Sequence, residues 1–142
     1  MDINNIILHY PNQPPCIITD GKIAESKEWK PQTDVYNTSQ IRALWDTGAP
    51  ICAISVKLAK SLNMTSPGNL VVGGFGGHGK EAPYYYIDLT LPDDRKLYNI
   101  PAVEYDGNDL HNFIIGMNVI TMGSFNLEPE QNGTRFSFTL KK

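Results

Sequence analysis

No apolar run in this sequence approaches the ~20 residues that a membrane-spanning helix needs, and candidates such as Phe113-Ile114-Ile115 are strand-length. Basic charge is also in short supply. Twelve Lys and Arg stand against fifteen Asp and Glu, with no long basic run, and the formal net charge is −3. That balance argues against a nucleic-acid binder that works by neutralising phosphates. Cysteine is scarce: Cys16 and Cys52 could form at most one bridge. The first residues, Met1-Asp2-Ile3-Asn4-Asn5, lack the positive and apolar regions of a secretion signal. Two buried, unpaired thiols in a cytoplasmic protein are therefore expected, and the sequons at Asn37, Asn63 and Asn132 are expected to be silent. The three histidines, His9, His78 and His111, share no ligand spacing with either cysteine, so neither a metal nor a cofactor is expected.

What is there is a chain of 142 residues, long enough for one domain, with 41% apolar residues to build its core. Gly 12 and Pro 10 favour short strands joined by turns over a helix bundle. Residues 1–15, where Ile6-Ile7-Leu8 precede Pro11, Pro14 and Pro15, read as an N-terminal arm or short strand, and residues 16–142 as a single domain. Cys16-Ile17-Ile18-Thr19 and Lys22-Ile23-Ala24 flank Asp20-Gly21, which predicts a hairpin. Residues 41–45, 51–54, 84–91, 97–105 and 113–115 read as strands. Ser55 is placed to cap a short helix in which Val56, Leu58, Ala59 and Leu62 fall at helical spacing. Residues 117–122 allow one or two more helical turns. Phe136, Phe138 and Leu140 alternate at period two, the mark of a half-buried terminal strand. The fold expected is all-β, closed barrel-like or sandwich-like, with one or two short helices.

The glycine cluster Gly73-Gly74-Phe75-Gly76-Gly77-His78-Gly79-Lys80 matches two nucleotide motifs by spelling, G-x-G-x-x-G and G-x-x-x-x-G-K. Both motifs set phosphate at a helix N-terminus, so a helix must follow. Here Glu81, Ala82, Pro83 and three tyrosines follow, and Glu81 stands where a P-loop needs Ser or Thr. Two readings stay open on the cluster alone: a surface hairpin rich in positive φ angles, or a flap that closes over a ligand.

Leu44-Trp45-Asp46-Thr47-Gly48-Ala49 is the strongest local signal. The D-T-G sits between two apolar strand candidates, the glycine cluster follows it, and Phe113-Ile114-Ile115-Gly116-Met117-Asn118 comes later. In that order these motifs resemble the retroviral-type (retropepsin-like) aspartic proteases, in register from Ile41 to Leu140. The resemblance implies an all-β acid-protease fold and an aspartic endopeptidase in which each chain supplies one catalytic aspartate, Asp46. With one D-T-G in the chain, it also implies a homodimer whose site lies on the two-fold axis. Two carboxyls about 3 Å apart cannot both ionise, so such a pair holds one proton and can activate a shared water while polarising the scissile carbonyl. Thr47, by the same resemblance, reaches across the axis, and Gly48 lets the backbone pass close to the carboxylates. Gly116 is expected behind the Asp loop, where a Cβ would crowd it. Ala49, Gly73, Gly74, Phe75, Gly76 and Gly77 are the implied substrate-binding residues, the last five on the flap. Ile54, Phe75, Ile114 and Ile115 are candidates for apolar pocket walls, with plain core as the other reading, and the terminal strand is a candidate for an inter-subunit sheet. The implied partners are a second copy and a peptide or protein substrate, with no nucleic acid and no membrane.

The chain departs from many retroviral members at Pro50, where they carry an acid, and at Met117, where they carry an Arg. Both halves of that ion pair are missing together, a combination that resembles bacterial and cellular members. His111 and Asn112 carry no catalytic role that the sequence can support. Three alternatives stay open. One is a catalytically weak retropepsin-fold module for dimerisation or peptide binding. Another is a small-molecule-binding β-barrel with a glycine lid. The third is a latent enzyme whose arm, with Pro14 and Pro15, covers the cleft.

Overall fold

Apolar residues alternate with polar ones along most of the strands, and each alternation turns one face inward. A computed structural model describes residues 5–31, 37–73 and 79–141. In chain order the elements are β1 (Asn5–Pro11), β2 (Ile17–Glu25), β3 (Thr38–Trp45), β4 (Cys52–Ser55), α1 (Val56–Ser61), β5 (Gly68–Val72) and β6 (Lys80–Thr90). There follow β7 (Lys96–Tyr105), β8 (Phe113–Ile115), α2 (Met117–Ile120), β9 (Gly123–Glu130) and β10 (Gly133–Leu140).

Six strands close a barrel in the order β2-β3-β8-β4-β7-β6, and β6 returns to β2 through Lys22–Thr90 and Glu25–Ile87 pairings. Closure removes the free edges that a flat sheet would expose. The strands β3–β8 and β4–β7 run parallel, whereas β4–β8 and β6–β7 are antiparallel. The short β5 lengthens the sheet beside β6 as one arm of a hairpin. A separate antiparallel sheet, β1-β10-β9, lies against the barrel. Trp45 joins the two layers. It is 5% exposed, with its ring centroid 4.9 Å from Phe138, 5.1 Å from Phe136 and 6.1 Å from Phe125. Its indole N–H donates to Thr19 Oγ1 at 3.0 Å, so the buried polar edge is satisfied.

The fold is the all-β barrel with two short helices that the strand pattern implied, but three local readings change. Asp20-Gly21 is not a turn; β2 runs straight through it. Asp20 pairs with Arg42 on the neighbouring β3 at 2.7 Å, and a Cβ on Gly21 would lie 2.9 Å from Thr90 O. Gly21 therefore serves the close approach of β6. Cys16 is exposed, because Ile17 and Thr19 take the inward positions of β2, whereas Cys52 is buried; both are free thiols. Finally, β9 escaped the sequence pattern, since only Phe125 and Leu127 alternate in an otherwise polar stretch. The arm, by contrast, is tied down: β1 pairs with β10 from Asn5–Thr139 to Pro11–Gly133 and buries Ile6.

Candidate active site

Two parallel strands end side by side, and the site is built where they end. Trp45 of β3 faces Ile115 of β8, and the next residue, Asp46, donates its N–H to Ile115 O at 3.0 Å. The chain then turns tightly: Ala49 N donates to Asp46 O at 3.2 Å, and Gly48 N donates to Asp46 Oδ1 at 2.8 Å. From the other strand, Met117 N donates to Ala49 O at 2.7 Å. These bonds hold the Asp loop and the start of α2 together as one unit.

Glycine at 116 is a steric requirement of that unit. A Cβ there would lie 2.6 Å from the carbonyl of Ile51 and 2.8 Å from Ala49 O, both rigid backbone. Behind it, Gly116 N–H approaches Cys52 Sγ at 3.5 Å, and burial pushes the Cys52 thiol up to about 12, so it stays protonated. Asn118 pins α2 from both ends of its amide. Its Oδ1 accepts from Cys52 N at 2.9 Å, and its Nδ2 donates to Pro101 O at 3.2 Å.

Asp46 lies between two hollows. The first, about 640 Å³, has Asp46, Gly48 and Ala49 as its floor, and Val72, Gly73 and Lys80 of the β5–β6 hairpin above. The end of β7, from Val103 to Tyr105, makes a side wall. The second, about 600 Å³, is bordered by Thr47, Pro14, Pro15, Cys16, Phe125 and Leu127. Thus Gly48 and Ala49 open to one side of the loop and Thr47 to the other. Gly73 has a φ of +71°, which glycine adopts without strain at the point where β5 ends.

Of the site residues read from the sequence, Asp46, Gly48, Ala49 and Gly73 come together at the first cavity and Thr47 at the second. Gly74, Phe75, Gly76 and Gly77 lie outside the described residues, as does His78. The apolar wall candidates divide differently from the pocket-wall reading. Ile54 and Ile115 are core residues at 0% and 1% exposure, Ile114 is half-buried, and none of the three lines either cavity. Strand alternation gives the reason: Ala53, one residue before Ile54, takes the cavity face of β4.

Residues that sequence reasoning passed over include Glu104 and Tyr105 on the side wall. Tyr85, from inside the barrel, donates its hydroxyl to Glu104 Oε2 at 2.6 Å. Burial first, then this hydrogen bond, raises Tyr85 to about 12. Tyr105 is likewise raised by burial, and its oxygen lies 2.9 Å from His111 Nδ1. Only the pairing of β4 with β7 brings these residues to the site, so no local motif could have found them. Among the described residues, no group of three or more His, Cys, Asp or Glu side chains is placed to hold a metal. No helix among them is long and apolar enough to cross a membrane.

Comparison with known proteins agrees with this architecture. The structure is similar to the crystal structure of a retropepsin-like aspartic protease from Rickettsia conorii, with a TM-score of 0.54 over 96% of this chain and 95% of that one. The two sequences are 11% identical, so the likeness is one of fold. No curated protein sequence matches significantly. The sequence model of the aspartyl protease family matches residues 32–119, more than half of the chain, and takes in both the Asp46 loop and Gly116. The fold is retropepsin-like, and the chain belongs to the aspartyl protease family.

Proposed function

We propose that the protein is an aspartic endopeptidase that works as a homodimer, with Asp46 of each subunit contributing to one active site. The observation that carries this reading is the junction at the ends of β3 and β8. A short aspartate-bearing loop is locked by Ile115 O and Met117 N–H, backed by a glycine that tolerates no Cβ, and it opens onto a cavity under a hairpin. Such rigidity is what positioning a carboxylate against its twin requires, because a looser loop would let the two repel one another apart. The paired carboxyls hold one proton between them. The ionised member takes a proton from a shared water, and the protonated member donates to the scissile carbonyl as the water adds.

Thr47 opens toward the second hollow, on the side away from the hairpin, which fits a role in gripping the partner's loop. A peptide would lie extended in the first cavity, its backbone along Ala49 and Gly73. The β5–β6 hairpin acts as a flap whose closure excludes water, and Gly74, Phe75, Gly76 and Gly77 stay assigned to substrate binding by sequence. Neither a metal nor a cofactor is needed for this chemistry. Two unpaired cysteines fit a reducing compartment, and the cytoplasm is the location we assign.

A second reading, a catalytically weak peptide-binding or dimerisation module, draws on Pro50. This residue lines the cavity without an N–H to offer a substrate. Incubation with a diverse peptide mixture from pH 4 to 7, followed by mass spectrometry, separates the two. Cuts by the wild type that vanish in Asp46→Asn, with the oligomer unchanged, support the endopeptidase. Peptides retained uncut by a folded dimer at every pH support the module.

A further inference from the structure

Tyr105 ends β7 on the strand face it shares with Val103, and both line the cavity that Asp46 enters. Its ring plane is nearly parallel to that of His111, at 12° with 5.9 Å between centroids, and its oxygen lies 2.9 Å from Nδ1. The proton in that contact can be assigned from the residues around it. Asn108 Oδ1 receives two backbone N–H groups, from Leu110 at 2.8 Å and from His111 at 3.0 Å. Backbone N–H groups only donate, so that atom is the amide oxygen and its sibling is the nitrogen. The nitrogen stands 3.2 Å from His111 Nε2. An amide NH₂ also only donates, which makes Nε2 the acceptor and leaves it without a proton. A neutral imidazole has one ring proton, which therefore sits on Nδ1 and is donated to the Tyr105 oxygen.

The consequence concerns the tyrosine's own proton. With His111 occupying the oxygen as a donor, the phenolic O–H points elsewhere, and among the described residues it has no acceptor. The Asp loop, meanwhile, has already spent the N–H groups of Gly48 and Ala49 on Asp46. Pro50 beside them has none. An extended peptide presents carbonyl oxygens along its length, and each one buried without a donor costs binding free energy.

We propose that Tyr105 is a substrate-binding residue, its hydroxyl proton turned by the Asn108–His111 pair toward a carbonyl oxygen of the peptide in the cavity. Asn108 and His111 are positioning residues, since they act only through Tyr105. The proposal rests on the endopeptidase reading of this cavity, and its test keeps the two apart. Nitrogen-15 NMR of the wild-type protein, at a pH where the imidazole is neutral, is expected to show His111 with a protonated Nδ1 and a bare Nε2. The opposite tautomer overturns the proposal. For the peptides that the wild type cuts fastest, Tyr105→Phe is expected to raise KM about tenfold with kcat held, the pattern of a lost binding hydrogen bond. An unchanged KM, or a fall in kcat alone, overturns it while leaving the endopeptidase standing. A wild type that cuts no peptide overturns the endopeptidase reading and this one with it, whatever the tautomer.

Discussion

At residue 116 the absence of a side chain decides whether the Asp loop and α2 can meet. The atoms a Cβ would strike are the backbone carbonyls of Ile51 and Ala49, which cannot rotate away as a side-chain tip could. Gly116→Ala is therefore expected to cost about 3 kcal/mol in chemical denaturation. An alanine variant of wild-type stability would contradict the packing described. The thiols give a second expectation. Cys52, buried and held protonated, should react with a maleimide only after unfolding, whereas Cys16 is exposed on the single subunit. Mass spectrometry of tryptic peptides separates the two, and native labelling of Cys52 would count against its burial. Tyr85 supplies a pH dependence. Its folded value is raised above the ordinary 10.0 to about 12, so the neutral phenol is the form that folding favours. Its contribution is complete below pH 10 and is lost as pH rises toward 12. Phenolate absorbance is expected to show late-titrating tyrosines, one fewer of them in Tyr85→Phe. At this scale the sequence was most legible where one residue type is chemically obligatory: Asp46 with its turn, and a glycine opening α2. It was least legible at Glu104, Tyr105 and Asn118, whose roles depend on strands far apart in sequence.

At the scale of elements, local chemistry and tertiary pairing compete, and each wins in a different place. Ser55 takes extended backbone angles and its Oγ accepts from Leu58 N–H at 3.2 Å, so α1 begins where a capping serine precedes the helical spacing. Ser55→Ala is expected to lose about 1 kcal/mol, read as a lower midpoint in urea. No change would mean that packing of Leu58 and Ala59 alone holds the helix. Asp20-Gly21 shows the reverse case. Its turn chemistry is strong, yet β3 and β6 both pair with β2, and their ladders hold the dipeptide extended. Without knowledge of those neighbours, the dipeptide reads as a hairpin. For β9 the difficulty lies in composition, since Ser124, Asn126, Glu128 and Pro129 hide a strand whose inward contact is carried by Phe125. Trp45 and the alternation of Phe136 and Phe138 announced the strands that Phe125 packs against, but not Phe125 itself.

At the scale of the whole molecule, one barrel holds one Asp46 loop, and the chemistry assigned to it needs two. The second hollow, beside Thr47 and on the far side of the loop from the hairpin, is where another copy would complete the pair. A dimer with a shared site makes a prediction that no self-sufficient monomer can imitate. Wild-type and Asp46→Asn subunits are mixed at constant total concentration, allowed to exchange, and assayed on a peptide that the wild type cuts. If each site draws one aspartate from each subunit, mixed dimers are inactive and activity falls as the square of the wild-type fraction. Activity that falls in simple proportion to that fraction would show that each chain carries a complete site, and the account of a shared aspartate pair would be wrong.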